Sequence, residues 1–164
     1  MGNISDHISY KEATYSPTAK AKGISNVPSD DAINRMKLVA VNVFEKVRSH
    51  FGKPIYVSSF FRSPKLNVAI GGSATSSHPM GEAIDMDGDV YDSPSNKEIF
   101  EYIRDSLKFD QLIIEGITDG KMAWVHCSYK ATGNRNQILF MYKDDNGKSI
   151  YEHYSLDRYK KLIY

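Results

Sequence analysis

Hydrophobic residues between positions 30 and 51 recur at spacings of three and four, which is the period of one face of an α-helix. Ser29 and Asp30 are suitable N-caps for this helix, and Gly52 is a typical stop signal. A second helix is predicted over residues 95–107, because that segment opens with a capping box and continues with an apolar face. The pattern therefore predicts two amphipathic helices, over 30–51 and 95–107.

Strand-like segments are short, rich in β-branched and aromatic residues, and bounded by turn residues. They cover residues 55–60, 83–87, 109–115, 122–129, 137–142 and 149–154. The third and fourth are joined through Gly120 and predict a hairpin, and Asn146-Gly147 is the predicted turn of a second hairpin formed by the last two. Together with the helices, these segments predict an α+β fold with a small antiparallel sheet flanked by helices.

Two stretches show neither pattern clearly. Residues 3–28 are polar and interrupted by glycine and proline, and we interpret them as short helical turns wrapped on the domain. After Arg62, the residues Pro64, Gly71 and Gly72 predict a loop. At the end of the chain, an aromatic tail predicts a short helix packed on the core.

Length and composition limit the class of protein. At 164 residues and 41% hydrophobic, the chain suits one globular domain over residues 1–164. A net charge of +1 gives no basic surface for nucleic acid, so no nucleic-acid partner is expected. The single cysteine, Cys127, excludes an internal disulfide and is predicted to be a small buried residue. Neither a membrane span nor a signal peptide is predicted, since apolar runs are short.

The segment 76–87 carries the candidate chemistry, because His78 precedes the carboxylate of Asp85 by seven residues. Imidazole and carboxylate suit Zn²⁺, and a catalytic zinc site has three protein ligands and one open position. His126 is the best third ligand, because strand alternation puts Trp124 and His126 on one face and Cys127 on the other. Asp87 points the same way as Asp85 and also remains a candidate.

Four blocks in this order resemble the family of zinc D-Ala-D-Ala carboxypeptidases and L-alanyl-D-glutamate endopeptidases, which is distantly related in fold to the hedgehog domain. They are Arg62-Ser63-Pro64-Lys65-Leu66-Asn67, Gly71-Gly72-Ser73, Ser76-Ser77-His78-Pro79-Met80-Gly81-Glu82-Ala83-Ile84-Asp85 and Trp124-Val125-His126. The resemblance covers residues 8–142, leaving 143–164 as a C-terminal extension. It implies that His78, Asp85 and His126 are the zinc ligands.

The resemblance also implies roles beyond the metal ligands. Arg62 resembles the group that binds a substrate carbonyl or carboxylate and stabilises the oxyanion, and Asn67 is a loop-bracing residue. Ser76 and Trp124 are expected to contact substrate.

The general base is where the sequence departs from the family pattern. Many members carry an acid three residues before the last histidine, but that position here is Ala123. Glu115 is the predicted substitute, because it ends the strand that precedes the His126 strand and resembles the glutamate of a phage and prophage subgroup. Asp119 and Asp87 are the alternatives.

The function implied is a zinc-dependent peptidoglycan peptidase that cuts the stem peptide, of the endolysin or carboxypeptidase kind. The alternative is a non-catalytic, zinc-stabilised module that binds cell wall or protein. The expected protein is a monomer without a membrane partner. Without a recognisable signal peptide, it is expected to stay in the cytoplasm until released to the wall, and to be encoded by a phage.

Overall fold

The computed structural model describes residues 2–164, which form the α+β fold that the sequence predicts. The strands of this part of the chain are β1 (Asn3–Ser5), β2 (Ile8–Ser9), β3 (Tyr56–Ser59), β4 (Ala83–Asp87), β5 (Gln111–Glu115), β6 (Trp124–Ser128), β7 (Gln137–Lys143) and β8 (Ser149–His153). Strands β1 and β2 form a small antiparallel pair, and the others form one sheet in the order β3-β4-β6-β5-β7-β8.

The main sheet is antiparallel except at one pair, β5 and β7, which run parallel. Strand β6 already pairs with β4 on one side and β5 on the other, so β7 adds to the free edge of β5. The chain reverses direction at the β5–β6 hairpin and again between β6 and β7, so β7 runs the same way as β5. Both predicted hairpins, β5–β6 and β7–β8, are confirmed.

The α-helices of the described residues are α1 (Tyr10–Ala13), α2 (Pro17–Lys22), α3 (Asp30–Val39), α4 (Glu45–Phe51), α5 (Pro64–Ala69), α6 (Asn96–Ser106) and α7 (Leu156–Leu162). A π-helical segment, Ala40–Phe44, joins α3 to α4, so the predicted helix over 30–51 is continuous. Ser29 accepts a hydrogen bond from the backbone of Ala32 as its N-cap. Within residues 2–164 no helix is long and apolar enough to cross a membrane.

The prediction of a loop directly after Arg62 was wrong, because residues 64–69 form helix α5. Ser63 caps this helix by accepting a hydrogen bond from Leu66 N, and Pro64 occupies its first turn. Proline is tolerated there because the first backbone N–H groups of a helix have no partner within the helix. The leader over 3–28 contains the expected short helices α1 and α2, together with the β1–β2 pair, which the sequence analysis missed.

The core lies on one face of the main sheet, beneath α3, α4 and α6. Alternate strand residues contribute to it, among them Ile84 and Met86 of β4 and Val125 and Cys127 of β6, all with 0% exposure. Cys127 is thus the buried small residue that the sequence predicts, and burial raises the pKa of its thiol. The intervening residues of these strands point to the opposite face, where the polar cluster described below is located.

The C-terminal elements pack on this same core. Phe140 of β7, Tyr159 of α7 and Ile163, which follows α7, belong to the buried cluster that contains the α3 and α6 residues. The backbone N–H of Tyr164 donates to Gly120 O at 3.0 Å, which ties the end of the chain to the β5–β6 hairpin. The segment after β6 is therefore part of the same folded unit.

Candidate metal centre and cleft

His78 begins a 3₁₀ turn, His78–Met80, and its side chain has 0% exposure. Its Nδ1 lies 2.6 Å from the backbone oxygen of Phe60. A carbonyl oxygen only accepts, so Nδ1 must carry the ring hydrogen, and Nε2 is left with a free lone pair. This Nε2 has no hydrogen-bond partner and lies 3.2 Å from Oδ2 of Asp85.

Asp85 and His126 are brought together by the sheet register. They are direct partners in the antiparallel pair of β4 and β6, so their side chains lie on the same face. Nδ1 of His126 is 2.9 Å from Oδ1 of Asp85. Local strand alternation therefore points both side chains away from the core, and pairing of the two strands sets their separation.

The three side chains form a group that fits a metal ion. Their ligand atoms lie within 4.8 Å of one another, and all three residues are buried. Two atoms that can only accept here, Nε2 of His78 and Oδ2 of Asp85, face each other with no proton between them. A cation at this position would satisfy both, and two imidazoles with one carboxylate are a donor set that suits Zn²⁺.

The charges of Asp85 and His78 agree with a ligand role, whereas His126 would have to lose a proton to bind a metal. Burial lowers the pKa of the His126 imidazole, but Asp85 outweighs burial and raises it. Burial alone would raise the pKa of Asp85, but His78 and His126 outweigh it and hold that pKa well below its ordinary value. Burial lowers the pKa of His78, which favours the neutral imidazole. Ionised carboxylate and neutral imidazole are the forms that bind metal.

Glu115 lies beside this group, as the predicted hairpin requires. Glu115 pairs with Trp124 across β5 and β6, and Trp124 is two residues from His126, the partner of Asp85. The Oε1 atom of Glu115 is 3.9 Å from Nδ1 of His126. Burial raises the pKa of Glu115 to about 7, an effect that Asp85 adds to and that His126 and Arg62 oppose. A carboxylate with a pKa of about 7, next to a metal group, is suited to accept and return a proton.

The alternative bases are placed elsewhere. Asp87 accepts a hydrogen bond from Nδ2 of Asn96 at 3.0 Å and does not line the cleft in front of His126. Asp119 lies in the tight turn between β5 and β6, with a φ of 49°, and does not line the cleft either. Among the described residues, Asp85 and Glu115 are the carboxylates that do, and Asp85 belongs to the metal group.

Arg62 and Ser76 form the opposite wall of this cleft. Nη2 of Arg62 donates to Oγ of Ser76 at 3.4 Å, and Ser76 also accepts from the backbone N–H of His78. Nε of Arg62 is buried without a hydrogen-bond partner, and so is the indole Nε1 of Trp124. Both are donors that a ligand's oxygen atoms would satisfy. Asn67 braces the following loop by donating to Ser73 O.

The cleft has a volume of about 460 Å³. Its lining includes every residue predicted to act at the site except His78, which lies beneath the surface. It also includes residues that the sequence analysis did not assign to the site: Leu139, Met141, Lys143, Ser149 and Tyr151 of β7 and β8. Their signal in the sequence was the period-two spacing of these positions, but only the strand order shows that they face the cleft.

Comparison with known proteins agrees with this geometry. The model of the family Peptidase M15 matches residues 6–128, which is more than half of the chain, so the chain belongs to this family of zinc-dependent metallopeptidases that act on peptidoglycan-type substrates. No curated protein sequence matches the chain. The match is at the level of the family, so the phage-type subgroup and the roles of individual residues stay predictions.

Proposed function

We propose that this protein is a zinc-dependent peptidase that hydrolyses a peptide bond in the stem peptide of peptidoglycan. The observation that carries the proposal is the position of Glu115, a largely buried carboxylate that lines the cleft and whose Oε1 lies 3.9 Å from Nδ1 of His126. A structural metal site needs no such group, whereas hydrolysis of an amide needs a proton acceptor next to the attacking water.

His78, Asp85 and His126 would hold the zinc ion. When bound, zinc supplies a Lewis acid that polarises the amide carbonyl and lowers the pKa of water. Glu115 accepts the proton of the attacking water and passes it to the leaving nitrogen, so the C–N bond breaks to give a carboxylic acid and an amine. Arg62, which lines the cleft, donates hydrogen bonds to the oxygen that gains negative charge.

The assay is hydrolysis of defined stem peptides by zinc-loaded protein, followed by separation of the products. Glu115→Gln should lower kcat by about 100-fold or more, as expected for loss of a general base, while retaining zinc. Glu12→Gln, at an exposed position of α1, is the matched control and should retain full activity. A wild-type protein that binds zinc and cell wall but releases no product from any stem peptide would favour the binding module instead.

A further inference from the structure

The β7–β8 hairpin extends the cleft beyond the part of the chain that the family shares. The family match ends at residue 128, and the hairpin begins at Gln137. Glu115 of β5 is the register partner of Met141 in β7, and Met141 is in turn the partner of Tyr151 in β8. Register partners share a face of the sheet, so these three side chains form a row that leads outward from the metal group.

The next row along the hairpin contains a positive charge. Lys143 is the partner of Ser149, and its Nζ donates to Ser149 Oγ at 2.7 Å. An ammonium group has three donors, so this contact leaves two available to a ligand. Of the described residues that β7 and β8 add to the cleft, Lys143 alone is charged.

Tyr151 lies in the register row between the row of this lysine and the row that contains His126. Its side chain is 48% exposed at the rim of the cleft, with the phenol hydroxyl as a hydrogen-bond donor. Burial raises the pKa of Tyr151, Glu115 adds to the rise and Arg62 opposes it, so the phenol shares the electrostatic environment of the reacting groups. A tyrosine here offers both a flat apolar surface and a polar end.

We propose that Lys143 and Tyr151 form a subsite that binds a free carboxylate of the substrate, so that the hairpin selects peptides carrying that group. This proposal rests on the proposed function and adds the substrate chemistry to it. Of the described lysines and arginines, Arg62 and Lys143 line the cleft. Arg62 is assigned to the developing oxyanion in the proposed function, so Lys143 is left to attract a free carboxylate.

The strand geometry also places this subsite at a distance from the metal group. Lys143 lies four residues beyond Leu139, which is about 13 Å along β7. Leu139 shares its register row with His126 of β6, two strands away, which is about 10 Å across the sheet. The lysine side chain spans part of this separation, so the recognised carboxylate is carried several residues from the bond that is cut, either as a chain terminus or as a side group.

Binding can be measured without turnover in the zinc-loaded Glu115→Gln protein, since Trp124 is the single tryptophan and lines the cleft. Its fluorescence should report titration with a stem peptide in three forms: with all carboxylates free, with the terminal one amidated, and with the side-group one amidated. Adding Lys143→Gln should weaken binding of the free form about tenfold, the usual size for a charged hydrogen bond. Lys148→Gln, in the turn of the same hairpin, is the matched control.

The amidated peptides identify the source of the carboxylate. If amidation of one carboxylate removes the loss of affinity caused by Lys143→Gln, that carboxylate is the group that the subsite binds. Tyr151→Phe should cost less than Tyr151→Ala, since it keeps the ring and loses only the hydroxyl. The control protein with Lys148→Gln keeps Lys143 and should still bind the free form more tightly than one of the amidated forms. If it binds all three peptides with the same affinity, as Lys143→Gln does, the subsite is overturned. In contrast, a wild-type protein that discriminates the peptides through Lys143 but cleaves none would overturn the proposed function and leave the subsite intact.

Discussion

Replacing Glu115 with glutamine is expected to stabilise the metal-free protein above pH 7, although it removes the proposed base. The Glu115 side chain is only 14% exposed, and its contact with His126 is long, at 3.9 Å. Burial therefore raises its pKa from 4.5 to about 7. An ionised carboxylate at this position costs free energy in the folded state, as is common for groups placed for catalysis and not for stability.

The sign and size of the effect follow from proton linkage. A glutamate with a higher pKa in the folded chain binds protons more tightly there, so the free energy of unfolding falls as pH rises. The fall begins near pH 4.5, the ordinary pKa, and is complete somewhat above pH 7. The whole rise in pKa corresponds to about 3 kcal/mol. Glutamine has nearly the same shape without the charge, so the variant does not lose this stability.

Urea unfolding of metal-free protein between pH 5 and pH 8 measures this difference. The Glu115→Gln protein should exceed wild type by about 1 kcal/mol or less at pH 5 and by about 3 kcal/mol at pH 8. Glu12→Gln should follow wild type at every pH. Saturating zinc should narrow the gap, because a nearby cation stabilises the ionised carboxylate. A gap that does not change with pH would refute the electrostatic argument for Glu115.

Two further predictions concern the metal group and the fold. His78→Ala should abolish zinc binding, so zinc at 100 times its Kd should stabilise wild type by about 2.7 kcal/mol and leave the variant unchanged. His153→Ala, at an exposed position, is the control. Equal zinc content in the two variants by elemental analysis would contradict the ligand set. Asp110→Asn should cost about 2 kcal/mol at pH 7, because Asp110 has 0% exposure and accepts two hydrogen bonds from the guanidinium of Arg135. Arg135 hydrogen bonds lower the Asp110 pKa, so the cost measured by urea unfolding should shrink as pH falls below the ordinary pKa of an aspartate, and a cost that is no smaller at pH 2 than at pH 7 would contradict this.

Part of the metal site was predictable from the sequence because that part of its geometry is local. Strand alternation alone places His126 opposite Cys127, and the hairpin over residues 109–129 brings Glu115 beside His126. The pairing of Asp85 with His126 is a long-range contact, and the sequence pointed to it only through their metal-ligand chemistry and the family resemblance.

Other features depend on long-range packing, which the sequence does not display. Helix α5 begins at Pro64, and a proline followed by two glycines has the same local signal as a loop. The place of β7 beside β5 depends on which sheet edge is free, so the role of Lys143 and Tyr151 as cleft residues could not be predicted. The π-helical segment 40–44 could not be predicted either, because it leaves the helical spacing of apolar residues almost unchanged.

In the proposed function, Glu115 beside the metal group makes this chain a hydrolase of the stem peptide. Mass spectrometry of purified sacculi digested with zinc-loaded protein tests it most directly, because the new termini identify the bond that was cut. We expect one class of peptide product from wild type and from Glu12→Gln, at least 100-fold less from Glu115→Gln, and none from His126→Ala. Release of the same products by Glu115→Gln at the wild-type rate, or no products from wild type that has bound zinc, would contradict the account.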